Sequence, residues 1–231
     1  MSRGRIPGDG RAADRQARLV KRRPPLDGRV QVRLNARDER LSESFLFECS
    51  SETAGLDAVV IHFSEAMGES LEWSCVLPEG ATVVPRRLDA ADVRPRSQGF
   101  AESWLLELTP PAVGPVALRA AREVPFPGTG PGVTVPLAWI DGAITPGGTV
   151  IVRDTGPERP RLVNRRLWEL PPDIDGTAEG PAVLGEFAFG PPPVRGAVAP
   201  TLELVPATSG AGESQAWVWR EQTSCWCHES G

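Results

Sequence analysis

The chain has 231 residues, with 25 Lys or Arg against 30 Asp or Glu and a formal net charge of −5. Gly and Pro number 24 each, an excess that favours many turns and few long helices. Residues 1–40 hold 12 basic and 5 acidic side chains, leaving 13 basic and 25 acidic for residues 41–231, so the body repels a phosphate backbone and nucleic acid is excluded as its expected partner.

In chain order, residues 1–40 read as a basic, flexible arm, charge-rich and poor in apolar residues. Its start, MSRGRIPGDGRAADRQ, is basic with no apolar run behind it, which is not the pattern of a secretory signal. No later stretch approaches the roughly 20 apolar residues of a membrane span. Beyond the arm the apolar period is two, the spacing of strands. Phe45, Phe47 and Cys49 share one face of SFLFECS, and Val59, Ile61 and Phe63 share one face of DAVVIHF. Leu71, Trp73, Cys75 and Leu77 follow in phase and stop at a Pro-Glu-Gly turn. Trp104, Leu106 and Leu108 are in phase, as are Val116, Leu118 and Ala120. Further strands are predicted over Val133–Trp139, Thr149–Arg153, Leu162–Trp168, Val183–Phe189 and Thr201–Val205.

Turn signals every 8 to 12 residues or so, with no helical segments between strands, predict an all-β fold: an antiparallel, immunoglobulin-like β-sandwich of one to two domains. Leu106-Glu107-Leu108-Thr109-Pro110 is echoed 96 positions later by Leu202-Glu203-Leu204-Val205-Pro206, about one small sandwich away. With DTGPERPR as a linker, the expected units are the arm at 1–40, a sandwich at 41–153 and a second β-rich domain at 154–231.

Few residues point to chemistry. Cys225, Cys227 and His228 crowd the C-terminus; on a strand the two thiols share one face and His228 takes the other. They are candidate metal ligands, but a closed zinc site needs four, and strand residues are the plainer reading. Cys49 and Cys75 lie in phase with core residues, as small hydrophobes or, in an oxidising compartment, an inter-strand disulfide. Asp173, Asp175 and Glu179 lack the closing glutamate of a calcium loop and read as a polar turn. The stretch GTGPG lacks the Lys-Ser/Thr of a phosphate loop. A Ser-His-Asp arrangement would have to use His62 or His228, and His62 reads as a half-buried structural residue. Trp217 and Trp219 share a strand face and could stack on sugars, whereas Trp73, Trp104 and Trp139 lie in phase with core residues.

The succession LEWSCVLPEGATVVP, ESWLLELTPPAVGPVALRAAREVPF and VPLAWIDGAITPGGTVIVRD resembles the repeated β-sandwich segments of very large cell-envelope proteins of bacteria with GC-rich genomes. The resemblance implies envelope location and a scaffold or adhesion-like role, and transfers no catalytic residue. The strand at AWVWREQTSCWCHESG lacks a partner, so the chain is also expected to be a piece of a longer protein. The expected function is a non-catalytic structural or interaction segment with protein or glycan partners and no cofactor. A carbohydrate-binding module on Trp217 and Trp219 and a small metal-binding domain on Cys225, Cys227 and His228 are the alternatives.

Overall fold

A computed structural model describes residues 26–37, 39–51, 55–89, 99–154, 159–171, 182–193 and 198–207. The described residues form fourteen strands in three sheets: β1 (Asp27–Arg37), β2 (Arg40–Ser50), β3 (Leu56–Phe63), β4 (Glu72–Leu77), β5 (Thr82–Arg87), β6 (Glu102–Ala112), β7 (Val116–Pro125), β8 (Val133–Thr134), β9 (Ala138–Ile140), β10 (Gly148–Asp154), β11 (Arg161–Arg165), β12 (Trp168–Glu169), β13 (Ala182–Phe189) and β14 (Thr201–Val205). The all-β expectation holds, in a sandwich-like arrangement. A seven-stranded sheet runs β12-β13-β10-β1-β2-β7-β4, beside a four-stranded sheet β5-β6-β3-β9 and a three-stranded sheet β11-β14-β8. The pairing is mixed, because β1 pairs with β10 in parallel, Val30 opposite Gly148 through Ala36 opposite Asp154.

The seven-stranded sheet has one buried face. Along β1, Val30, Val32, Leu34 and Ala36 are buried, while Arg29, Gln31, Arg33, Asn35 and Arg37 point the other way. Phe45 and Phe47 of β2 and Val150 and Val152 of β10 continue the buried side. The four-stranded sheet packs there through Phe63, whose ring lies edge-on to Phe45 at 5.3 Å and Phe47 at 6.2 Å, and through Trp139, edge-on to Phe189 at 5.5 Å. Leu162 brings the three-stranded sheet against Gly185 of β13, a position where a Cβ would stand 3.0 Å from the Leu162 methyl. Gly148 serves the same close fit, since a Cβ there would meet the Phe189 ring at 2.8 Å and Val30 Cβ at 2.9 Å.

Several expectations change. Residues 27–37 belong to the sheet and not to an arm, because the arginines of β1 sit on its open side while its apolar residues fill the core. The position proposed as a domain border, between 153 and 154, falls inside β10, which pairs with both β1 and β13. Strand β3 is buried on both faces from Val59 to Phe63, with Phe100 stacked on His62 on the side that also bears Val60. Val133–Trp139 divides into β8 and the start of β9, in different sheets, across Val135-Pro136-Leu137. Leu162–Trp168 likewise divides into β11 and β12, with Arg166 between them at φ 66°. Strand β5, with no counterpart among the predicted strands, is an outer strand carrying Pro85, Arg86 and Arg87, residues suited to an unpaired edge.

Candidate functional site

Two arrangements could bear function. The first lies between β3 and β6, where the antiparallel register sets His62 opposite Ser103. His62 Nδ1 and Ser103 Oγ are 2.7 Å apart, and His62 Nε2 is 3.8 Å from Asp141 Oδ1 just past β9. These are the residue types of a nucleophilic triad, with the ring nitrogens exchanged relative to the serine-protease arrangement. The imidazole stacks face to face on Phe100 at 4.5 Å. His62 is 4% exposed and Ser103 5%, so both side chains lie within the core. A buried hydroxyl pairing a buried ring nitrogen is what polar burial requires.

Close by, the buried Glu102 accepts from Trp104 Nε1 at 2.6 Å and the Met67 backbone N–H at 3.0 Å, and pairs with Arg87 at 2.9 Å. Glu43, also buried, takes the Arg122 guanidinium, which donates in addition to the carbonyls of Ala66 and Met67. Burial pushes the Glu43 carboxyl above its ordinary range despite the opposing pull of Arg122. Both carboxylates thus hold loops in place.

The second arrangement is the open face of the seven-stranded sheet. An open cleft of about 860 Å³ lies at the end of this sheet where β1 and β10 begin and β2 and β13 end. Arg29, Gln31, Glu48, Thr149 and Glu186 line it. Among the described residues, Arg29, Glu48, Thr149 and Glu186 have no side-chain hydrogen bond or ion pair. At the outer edge stands Trp168, 62% exposed. Its six-membered ring closes on Gly190, 3.1 Å from where a Cβ would be, and Gly190 itself borders the cleft.

The terminal candidates Trp217, Trp219, Cys225, Cys227 and His228 lie outside the described residues, as do Asp173, Asp175 and Glu179. Among the described residues no three His, Cys, Asp or Glu side chains form a group that could hold a metal. No helix there is long and apolar enough to cross a membrane. Cys49 and Cys75 are free thiols, because β7 runs between their strands. Trp139 is a core residue as expected, and Trp73 and Trp104 are partly buried against the core.

No family model matches the chain. No curated protein matches it. Among solved structures, native leukotriene A4 hydrolase from Saccharomyces cerevisiae aligns over 78% of this chain and 29% of its own, at 6% identity and a TM-score of 0.36. A second structure of the native yeast enzyme gives 9% identity, 28% of that chain and a TM-score of 0.34. The yeast enzyme in complex with bestatin gives 9%, 28% and 0.33. The chain therefore spans less than a third of these proteins, and at such TM-scores the likeness carries no argument about activity.

Proposed function

We propose that the chain is a non-catalytic interaction module, a segment of a larger cell-envelope protein, that presents the open face of its seven-stranded sheet to a macromolecular partner. One observation carries the reading: Arg29, Glu48, Thr149 and Glu186 meet around a cleft on a solvent-facing sheet without partners among the described residues. His62 and Ser103 are buried within the core, and Asp141 lies at its margin. The envelope assignment is supported by the resemblance of LEWSCVLPEGATVVP and its following segments to envelope β-sandwich repeats.

The reading is tested by co-sedimenting the purified chain with isolated envelopes of the source organism while assaying ester, peptide and glycoside substrates. Saturable co-sedimentation without turnover is expected. Turnover of any of these substrates that is lost in Ser103→Ala, or absence of sedimentation, contradicts it.

A further inference from the structure

We propose that the cleft on the open sheet face binds a neutral oligosaccharide, with Trp168 stacking on a sugar ring and Glu48, Thr149 and Glu186 taking its hydroxyls. The inference rests on the interaction-module reading and names its ligand class.

Register places these groups on one surface. Trp168 pairs with Ala188, Ala188 with Thr149, Thr149 with Gln31 and Gln31 with Leu46, a row crossing β12, β13, β10, β1 and β2. Paired residues project to the same face, and adjacent strands lie about 4.8 Å apart, so the row runs from the aromatic ring to Thr149 and Gln31 in the cleft lining. Ala188 and Gly190 beside Trp168 are small, so the indole rests against Gly190, which borders the cleft, while the residue stays 62% exposed. An exposed tryptophan at the edge of a polar surface combines an apolar face with hydrogen-bonding neighbours.

The chemistry of the lining selects among ligands. Glu48 and Glu186 offer acceptors, while Arg29 and Thr149 supply donors without protein partners among the described residues. Gln31 adds an amide whose oxygen already accepts from Arg33 Nε at 2.7 Å, leaving its NH2 group for a ligand. A sugar, with hydroxyls that both donate and accept and an apolar C–H face, matches that mixture. A phosphate would face an excess of carboxylates. An extended peptide could not add as a strand over the floor, because β1 is paired on both sides, with β10 and β2.

The test is affinity electrophoresis of the full chain through native gels containing xylan, mixed-linkage β-glucan, galactomannan or dextran, with a lysine oligopeptide assayed separately by titration. Retardation by at least one polysaccharide is expected, with affinity about tenfold weaker in Trp168→Ala. Thr149→Arg, which fills the floor with a long side chain, gives a comparable loss. Both variants are checked for an unchanged thermal midpoint. Retardation by none of the four, or equal retardation of wild type and both folded variants, overturns the inference. Binding of the lysine peptide alone overturns it in favour of a cationic partner. Envelope sedimentation that persists without polysaccharide binding removes the sugar assignment and leaves the interaction reading standing.

Discussion

Ser103 Oγ lies 2.7 Å from His62 Nδ1 across the β3–β6 pair, inside a core closed by the Phe100 ring. The pair resembles part of a catalytic device, and its two members are buried like core residues. Ser103→Ala removes the hydroxyl and leaves a ring nitrogen buried without its partner. Such a deletion costs about 1–3 kcal/mol, to be read from urea denaturation.

Arg122→Ala strands the Glu43 carboxylate in the core and frees the carbonyls of Ala66 and Met67. Breaking a buried ion pair in this way costs about 3–5 kcal/mol, measurable by chemical denaturation at neutral pH.

Glu43→Gln tests the raised carboxyl directly. In the folded chain Glu43 holds its proton more tightly than in the unfolded chain, so its contribution to stability is present below the ordinary carboxylate range. That contribution is lost as pH rises through the raised folded value. Glutamine does not ionise and has no such loss. The stability of Glu43→Gln relative to wild type is therefore expected to increase between about pH 4 and pH 7, which paired denaturation curves across that range would reveal.

Burial pushes the Cys49 thiol up to about 11. Since the thiolate is the reactive form, native protein treated with iodoacetamide near pH 8 should remain unmodified at Cys49, while urea-unfolded protein is alkylated there. Peptide mass spectrometry resolves this site from the other cysteines.

Gly148→Ala would drive a methyl group into the Phe189 ring and Val30. Overpacking of this kind costs about 1–3 kcal/mol, seen as a lowered denaturation midpoint.

The strand faces were legible in sequence wherever one side alone is buried: Phe45, Phe47 and Cys49, and Val116, Leu118 and Ala120, lie inward as their spacing predicts. Strand β1 was hidden by composition, because Arg29, Arg33 and Arg37 on its solvent side give the segment the charge of a mobile arm. The partners of β3 were hidden by distance: His62 and Ser103 are 41 residues apart, and a period of two tells which face a residue takes but not which strand lies opposite. The candidate cleft has the same origin. Gln31, Glu48, Thr149 and Glu186 come from four strands and meet only through register, while Trp168 reads in sequence as the end of one strand and stands instead at the edge of another sheet.

The central claim is that the open face of the seven-stranded sheet is the binding surface. The most direct measurement compares saturation binding of wild type, Thr149→Arg and Val113→Arg to isolated envelopes. Val113 serves as control because it is exposed and lies outside the cleft lining. The account predicts that Thr149→Arg loses binding at an unchanged thermal midpoint while Val113→Arg binds like wild type. Equal binding by all three would contradict it.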